Sequence, residues 1–332
     1  MFTSGGSSAN FTALAAARHS LAPRSVEGCT VYYGDQSHYT NERALHLLGF
    51  SPESRRVVPS TAQYTMDVER LSGLVQEDRD AGHRPLCVVA SAGTINVGAV
   101  DDLDAIASLC KENGMWFHVD GAYAAAAALS EKLRPLFRGM ERADSVTLDP
   151  HKWLFQPFEI GCVLVRDMST LRNAFQIMPD YLKDVHDLGE INFADHGLQL
   201  TRGFRALKLW MSLQYFGARK FREAIEYGVS LAEHAERFLG GRAGWEVLTR
   251  ANLAVVSFRY VPDGWDEDAV NRLNDNIVKR LTDDGFAMLS STVLRGCTAL
   301  RLCTINPSTT TSHIEETVTK LEDIGAGLVM EG

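Results

Sequence analysis

The sequence has 332 residues, 45% hydrophobic and 23% charged, which is the composition of an ordinary folded protein with a large core. Its formal net charge of −9 argues against binding nucleic acid through bulk charge, although a local basic pocket for a phosphate remains compatible with it. No apolar run has the length of a membrane span, and the N-terminus lacks a secretory pattern. We therefore predict a soluble, cytoplasmic protein with no nucleic-acid and no membrane partner.

The six cysteines are scattered along the chain and form no CxxC pair. Most of them lie in apolar runs, for example Leu86–Val89. This placement is typical of buried free thiols in a reducing compartment, and it does not favour a disulfide framework or a zinc site.

Short apolar runs alternate with amphipathic stretches through the first half of the chain. The predicted strands are Thr30–Tyr33, Leu86–Ser91, Met115–Asp120, Ser145–Leu148 and Gly161–Val165. The predicted helices are Asn10–His19, Asn41–Leu48, Val68–Ala81, Asp102–Asn113 and Asp167–Phe175. This alternation predicts an α/β fold with a mostly parallel sheet covered by helices.

The second half begins with two long helical patterns, Phe204–Phe216 and Phe221–Leu239, which we expect to bridge two domains. The elements predicted after them are strands at Leu253–Tyr260, Phe286–Ser290 and Ala299–Thr304, and helices at Asp266–Asp283 and Thr311–Val329. We therefore predict a large domain over residues 1–245 and a small C-terminal α+β domain over residues 246–332.

The segment Asp149-Pro150-His151-Lys152-Trp153 directly follows a predicted strand. In open α/β sheets, ligands bind beyond the carboxyl ends of the strands. A desolvated lysine at that position can act as an amine nucleophile toward a carbonyl. A single lysine at a strand end is usually a surface residue, so this interpretation depends on its neighbours.

Asp120 ends another predicted strand, where a buried carboxylate needs a partner. Pyridoxal 5′-phosphate (PLP) needs an acid beside its pyridine nitrogen, because protonation there makes the ring an electron sink. The small residues Gly121 and Ala122 would let a flat ring approach. Two alternatives remain: a capping role for Asp120, or a metal site shared with His118 on the same strand face. No third ligand lies nearby in the sequence, so we predict no metal.

A glycine- and serine-rich turn, Thr3–Ser8, precedes the first predicted helix. Backbone N–H groups and hydroxyls at a helix N-terminus suit a phosphate dianion. Such turns are more often plain loops, but beside a reactive lysine and a buried acid this one completes a possible PLP site.

These motifs resemble the group II PLP-dependent amino-acid decarboxylases, which include aromatic-L-amino-acid, tyrosine, glutamate and diaminobutyrate enzymes. The resemblance extends from Thr3 to Trp210 and more loosely to the C-terminus. The segments that carry it read TSGGSSAN, DQSHYTNERA, SAGTINVGAVDDL, WFHVDGAYAA, ADSVTLDPHKW, and PDYL followed by LTRGFRALKLW. The resemblance implies PLP-dependent transferase fold type I, which is the fold of aspartate aminotransferase. It also implies a lyase of amino-acid metabolism that converts an L-amino acid to its amine and CO2, with an aromatic amino acid as the favoured substrate.

The resemblance also implies roles for individual residues. Lys152 would hold the cofactor as a Schiff base, and Asp120 would be the partner of its ring nitrogen. His38 would stack on the ring face opposite Ala122, although it could also be a histidine whose hydrogen bonds are met within its loop. Thr94 would line the cofactor near its phenolic oxygen or the substrate carboxylate.

The implied phosphate contacts are Gly6, Ser7 and His151. Asp149 occupies a position on the phosphate side where some members of the family have Asn. The sequence does not explain an acid at that place.

Two further residues concern the reaction type and the substrate. Tyr181 matches a tyrosine on the family's catalytic loop that returns a proton to the substrate carbon after CO2 leaves, and relatives with Phe there tend toward aldehyde formation. Arg202 would anchor this loop or the substrate carboxylate. Each could instead be an ordinary surface residue.

The family carries a substantial segment ahead of the turn at Thr3–Ser8, which contributes to the substrate pocket across a dimer and which we expect this chain to lack. We therefore expect a homodimer, or a heteromer with a chain that supplies this segment. The alternatives for function are a PLP-dependent aldehyde synthase, another PLP lyase reaction in a biosynthetic pathway, or one subunit of a split enzyme that needs an N-terminal partner.

Overall fold

The computed structural model describes residues 1–177 and 191–331. The chain forms two compact units, one of Met1–Thr94 and Ala99–Gly217 and one of Ile95–Gly98 and Ala218–Gly332. The boundary predicted after residue 245 stays a prediction. The division at Gly217 has a local cause, since the backbone there is not helical, with φ 73° and ψ 154°, within an otherwise helical stretch.

The first unit contains a seven-stranded sheet. Its strands are β1 (Phe2–Thr3), β2 (Cys29–Gly34), β3 (Arg55–Val58), β4 (Arg84–Ser91), β5 (Trp116–Asp120), β6 (Ser145–Leu148) and β7 (Gly161–Val165). The spatial order is β1-β7-β6-β5-β4-β2-β3. Strands β2 to β6 pair in parallel, whereas β7 and β1 are antiparallel to their neighbours. The predicted α/β fold with a mostly parallel sheet is confirmed.

The register of these strands brings the ends of the central ones to one edge of the sheet. Ser91 of β4 pairs with Asp120 of β5, which pairs with Thr147 of β6. Since β7 runs antiparallel to β6, its first residue, Gly161, lies at this same edge and pairs with Thr3. A Cβ on Gly161 would lie 2.5 Å from backbone atoms of the Thr3–Ser8 turn, so only glycine lets that turn approach the strand ends.

The helices of the first unit are α1 (Gly6–Leu21), α2 (Tyr39–Leu47), α3 (Val68–Asp80), α4 (Leu103–Asn113) and α5 (Met168–Phe175), followed by the first part of α6 (Arg205–Gly240). Asp67, Asp102 and Asp167 cap α3, α4 and α5 by accepting hydrogen bonds from backbone N–H groups of the first turn. Helix α1 packs closely on the sheet because one of its faces carries buried alanines, among them Ala9 and Ala13.

The second unit contains the rest of α6, the strands β8 (Trp245–Asn252), β9 (Val255–Tyr260), β10 (Ser290–Leu294) and β11 (Cys297–Cys303), and the helices α7 (Glu267–Asp284) and α8 (Thr311–Glu331). The four strands form an antiparallel sheet in the order β10-β11-β9-β8. Leu231, Phe258, Ile277, Leu300 and Leu321 are buried together in the core of this unit.

Most predicted elements agree with the structure to within a few residues, and the strands Ser145–Leu148 and Gly161–Val165 agree at both ends. The strand predicted at Phe286–Ser290 is wrong, because β10 begins only at Ser290. Strands β1, β3 and β8 were not predicted. All six cysteines are free, and four of them are buried, as predicted. Within the described residues, the structure contains no helix with the length and apolar character needed to cross a membrane.

Candidate active site

The carboxylate of Asp120 lies at the end of β5 and is held by two amides from different helices. Its Oδ2 accepts hydrogen bonds from Nδ2 of Asn10 in α1 at 2.9 Å and from Nδ2 of Asn41 in α2 at 2.7 Å. Its Oδ1 accepts a bond from the backbone N–H of Ala122 at 3.2 Å. All three side chains of this group are buried. Asp120 is therefore a fixed, buried hydrogen-bond acceptor at the carboxyl end of β5. A partner of the ring nitrogen, which is its predicted role, needs such an acceptor.

Lys152 follows the neighbouring strand β6 and forms an ion pair with Asp149. Nζ of Lys152 lies 3.1 Å from Oδ2 of Asp149, and Nε2 of His151 lies 3.5 Å from the same oxygen. Nδ1 of His151 donates to the carbonyl of Ile160 at 2.6 Å, which fixes the ring. Burial raises the pKa of Asp149 above its ordinary value, although the charges of Lys152 and His151 act in the opposite direction.

The glycine turn lies directly against these residues. A Cβ on Gly6 would lie 2.8 Å from Oδ2 of Asp149 and 3.0 Å from Cβ of Ala122, so a side chain there would fill the space between them. Helix α1 begins at Gly6, and its first turn contains no acidic residue. Ser7 is exposed in this turn. The structure thus brings Gly6, Ala122, Asp149, His151 and Lys152 together.

His38 caps helix α2, and its Nδ1 accepts a hydrogen bond from the backbone N–H of Thr40 at 3.2 Å. Burial lowers the pKa of His38 below its ordinary value, whereas the negative charge of Asp120 acts to raise it. Thr94 is buried just beyond β4, and its Oγ1 accepts from the backbone N–H of Ala99 at 3.0 Å. The stacking role of His38 and the cofactor contact of Thr94 stay predictions.

Arg202 donates hydrogen bonds to the backbone carbonyls of Phe193 and Phe2. It therefore ties the segment that follows residue 190 to the first strand, in keeping with the predicted anchoring role, which itself stays a prediction. Tyr181 lies outside the described residues.

Sequence reasoning missed the residues that hold Asp120. Asn10 and Asn41 both lie within matching motifs, but the motif reading gave them no role. A signal was present, because asparagine is a poor helix former and both residues fall in predicted helices. His118, considered as a metal ligand, instead lies 3.0 Å from Oδ1 of Asn10 through its Nε2. In the described ranges, no group of three or more His, Cys, Asp or Glu side chains is arranged to hold a metal ion.

The residues at this edge fit PLP. The Thr3–Ser8 turn and the start of α1 offer backbone N–H groups to a phosphate. One buried oxygen of Asp149, Oδ1, has no hydrogen-bond partner among the described residues, which is expected of a polar atom that faces a ligand. Asp120 and Lys152 would supply the acid and the amine that the ring nitrogen and the aldehyde require, as predicted from the sequence.

Comparison with known proteins agrees with a PLP site. Residues 1–261 match the model of the pyridoxal-dependent decarboxylase conserved domain. The chain is 46% identical over 325 residues to an aromatic-L-amino-acid decarboxylase of Bacillus atrophaeus, covering 97% of this chain and 68% of that protein. It is 32% identical to a phenylacetaldehyde synthase of Arabidopsis thaliana, covering 90% of this chain and 61% of that protein. The crystal structure of Oryza sativa TDC with PLP and tryptamine superposes with a TM-score of 0.93 at 31% identity, over 99% of this chain and 70% of that one.

The chain therefore belongs to the pyridoxal-dependent decarboxylase family. The predicted family, fold type I, PLP cofactor and carboxy-lyase class are confirmed. Within the family, the chain is similar to a decarboxylase named for aromatic amino acids and to a phenylacetaldehyde synthase, and it spans 68% and 61% of the length of these two relatives.

Proposed function

We propose that this chain decarboxylates an aromatic L-amino acid to its amine and CO2. The observation that carries the proposal is the paired geometry at the sheet edge. Asp120 is fixed by Asn10 and Asn41 at the end of β5, and Lys152 lies beyond the adjacent parallel strand β6. The similarity to the Bacillus atrophaeus enzyme supports an aromatic substrate.

In this proposal, different residues of the site bind different parts of the cofactor. When bound, PLP supplies the electron sink that accepts the electron pair of the breaking bond between Cα and the carboxylate. Asp120 accepts a hydrogen bond at the ring nitrogen, and Lys152 binds the cofactor through Nζ. The backbone of Gly6 and Ser7, with His151, holds the phosphate. His38 packs on one face of the ring, opposite Ala122, and Thr94 lines its edge.

We assign the return of a proton to the substrate carbon to the hydroxyl of Tyr181. A phenol with an ordinary pKa of about 10 carries its proton at neutral pH and can donate it to a strongly basic carbon. The bonds from Arg202 to Phe193 and Phe2 support a role for Arg202 in anchoring the segment that follows Tyr181.

An aldehyde synthase is the second candidate, because the chain is also 32% identical to a phenylacetaldehyde synthase. That reaction consumes the amino acid, O2 and water, and it yields aldehyde, CO2, ammonia and hydrogen peroxide. The presence of Tyr181 favours the simple decarboxylase. The Tyr181→Phe variant is expected to form more aldehyde and peroxide than the wild-type protein.

The proposal is tested by incubating the PLP-loaded protein with a panel of aromatic and acidic L-amino acids. We expect amine and CO2 in equal amounts from an aromatic substrate, no peroxide, and no turnover by Lys152→Ala. Lys132→Ala, which changes a lysine outside the site, is the matched control and should keep its activity. Aldehyde and peroxide from the wild-type protein would favour the synthase, and the absence of turnover with PLP bound would favour a subunit that needs a partner.

We also propose that the chain acts in an assembly, either as a homodimer or with a second chain that completes the substrate pocket. Large apolar side chains at the start of α6 and near it support this, because each is more than half exposed: Phe158, Phe204, Trp210, Met211, Tyr215 and Phe216. Exposed apolar surface of this kind marks interaction sites. The buried free thiols support a cytoplasmic location.

Light scattering coupled to size-exclusion chromatography tests the assembly. We expect the mass of a dimer, and a shift toward the monomer in the Trp210→Glu variant, because a charge there is costly to bury. A monomeric wild-type protein with full activity would contradict the proposal.

A further inference from the structure

A chain of hydrogen bonds connects Asp120 through Asn10 to three further buried side chains. Nε1 of Trp116 donates to Oγ of Ser145 at 2.8 Å, and Oγ of Ser145 lies 2.8 Å from Nδ1 of His118. Nε2 of His118 lies 3.0 Å from Oδ1 of Asn10, whose Nδ2 donates to Asp120. All five side chains are buried in the first unit. We call this set the Asp120 relay.

The direction of each bond in the relay is fixed from both of its ends. The indole of Trp116 can only donate, so Oγ of Ser145 accepts from it and turns its own hydrogen toward Nδ1 of His118. An ionised Asp120 can only accept, so Asn10 turns Nδ2 toward it and presents Oδ1 to His118. From the Asp120 end, Nε2 of His118 carries the proton that it donates to Oδ1 of Asn10. From the Trp116 end, Nδ1 of His118 is the acceptor for the hydrogen of Ser145. Taken together, the two ends give a neutral His118 with its proton on Nε2.

If every hydrogen bond of the relay ran in the opposite direction, one buried hydrogen would be left without an acceptor. A protonated Asp120 could donate to Asn10, which would then donate to His118, and His118 would donate from Nδ1 to Ser145. Oγ of Ser145 would then receive hydrogens from both His118 and Trp116, and its own hydrogen would have no acceptor among the contacts recorded for the described residues. An unmade bond of a buried hydroxyl is costly. The relay therefore favours the ionised form of Asp120.

The burial of His118 agrees with this assignment. Loss of solvation lowers the pKa of His118 to about 4, against the nearby charge of Asp120 and a hydrogen bond with the backbone of Ser145, which both act to raise it. The ring is therefore neutral at physiological pH, as the bonding requires.

The relay also leaves one acceptor position of Asp120 in a defined place. Asn10 and Asn41 donate to Oδ2, while Oδ1 receives only the backbone N–H of Ala122 among the recorded bonds of the described residues. A carboxylate oxygen can accept two hydrogen bonds. The remaining capacity therefore lies on Oδ1.

We propose that Trp116, Ser145, His118 and Asn10 are positioning residues that hold Asp120 ionised and direct the free acceptor position of Oδ1 toward the ring nitrogen of the cofactor. The relay stands on the bonds of the protein alone, whereas its effect on the cofactor rests on the role of Asp120 in the proposed function. None of the four residues needs to touch the cofactor.

The first experiment measures the tautomer of His118 by 15N nuclear magnetic resonance of histidine-labelled protein without added PLP. The sequence has 10 histidines, and the signals of His118 are those lost in His118→Gln. We expect a proton on Nε2, with no protonation of the ring at neutral pH. A proton on Nδ1, or a charged ring, would overturn the relay whatever the cofactor does.

The second experiment removes the hydroxyl in the middle of the relay. Ser145→Ala should raise the dissociation constant of PLP about tenfold, because one orienting bond is lost, and should shift the pH midpoint of the visible absorbance of bound PLP. Ser130→Ala is the matched control, since Ser130 is equally buried in the same unit and accepts a backbone bond from Leu133. Trp116→Phe removes only the terminal donor and should shift the midpoint in the same direction.

Equal effects of Ser145→Ala and Ser130→Ala on PLP binding and on the midpoint would overturn the positioning role. If Ser145→Ala does not fold, Trp116→Phe and the tautomer of the wild-type protein still decide the question. PLP affinity that is unchanged in Asp120→Ala would instead contradict the proposed role of Asp120, and the tautomer measurement separates that failure from a failure of the relay.

Discussion

Asp120 and Asp149 lie at the ends of two neighbouring parallel strands, β5 and β6, yet their surroundings differ in kind. Asp120 accepts three hydrogen bonds from two side-chain amides and one backbone N–H. Asp149 has an ion pair with Lys152 on one oxygen, and its other oxygen is buried without a partner among the described residues. The same strand-end position therefore produces a fixed carboxylate in one case and an incompletely bonded one in the other.

The difference shows that position in an α/β sheet selects which side chains reach the ligand edge, but that neighbouring helices decide what each side chain can do there. Helices α1 and α2 bring Asn10 and Asn41 to Asp120. Asp149 faces the Gly6 turn and Lys152, which are the groups we expect to contact the cofactor. We therefore expect substitutions at the two sites to have unequal effects.

Of the substitutions that compare these two carboxylates, Asp120→Asn has the largest expected effect. The new amide must place its oxygen toward Asn10 and Asn41, so its NH2 group takes the position of Oδ1. It then faces the N–H of Ala122, and it offers a donor where the ring nitrogen needs an acceptor. We expect kcat/KM to fall roughly 10²–10³-fold, the scale of losing one essential electrostatic contact. The loss is measured by steady-state kinetics at saturating PLP.

Asp149→Asn is the matched control for this charge removal, and it should keep most of the activity. An equal loss in the two variants would remove the distinction between the two carboxylates.

Gly6→Ala tests the space between Asp149 and Ala122. Because the new Cβ would lie 2.8 Å from Oδ2 of Asp149, we expect the dissociation constant of PLP to rise by about tenfold or more, as for other overpacked sites. The constant is measured by titrating the apoprotein with PLP.

Gly73→Ala, in helix α3, is the control for a glycine-to-alanine change. Its Cβ would meet only the flexible end of Arg70 at 3.4 Å, so PLP binding should be unchanged and stability should rise by about 0.5–1 kcal/mol. If PLP binds equally well to both variants, the space at Gly6 is not needed for binding the phosphate.

The His118→Gln variant tests the surroundings of Asp120 through the pH dependence of the free energy of unfolding. The pKa of His118 is lowered by burial to about 4 from its ordinary 6.5, so between these values the unfolded chain binds a proton that the folded protein does not. The free energy of unfolding of the wild-type protein should therefore fall as the pH decreases from 6.5 to 4, relative to the variant. The change is about 1.4 kcal/mol for each unit of pKa shift.

Urea unfolding of the apoprotein across this range measures the difference. Asp101, whose pKa burial raises to about 6, acts in the opposite direction but is present in both proteins, so it cancels. His46→Gln, which changes an exposed histidine in the same way, is the control for the substitution itself. Parallel pH curves for wild type and His118→Gln would contradict a neutral, buried His118.

The smallest expected effect is that of Asp149→Asn on the stability of the apoprotein. Lys152 is about a third exposed, so losing its attraction to Asp149 should change the free energy of unfolding by less than about 1 kcal/mol. Burial raises the pKa of Asp149 above its ordinary 3.8, so the folded protein holds this proton more tightly than the unfolded chain. The wild-type protein should therefore lose stability relative to the variant as the pH rises above 3.8.

Removing this charge beside the phosphate turn should also tighten PLP binding a few-fold. Thermal unfolding and PLP titration of the two proteins measure these effects. Weaker PLP binding by Asp149→Asn would show that the carboxylate contributes to holding the cofactor.

Local patterns were sufficient to predict much of the fold. Strands buried on both faces, such as β4 and β5, appear as largely apolar runs, and β5 ends at Asp120 of the site. Strand β3 was missed because its sequence, with Arg55 and Arg56, has no apolar run. Strand β10 was placed too early, since its alternating exposure gives a weak signal.

The sequence by itself determined the family, the cofactor and the positions of Lys152 and Asp120, because these depend on motifs that are continuous in the chain. Only the tertiary structure decided what holds Asp120 in place. Asn10 is 110 residues from it and Asn41 is 79, and the relay through His118 joins a helix to two strands. A hydrogen bond depends on the distance and direction between two groups, and for residues this far apart in the chain those are set only when the helices pack on the sheet.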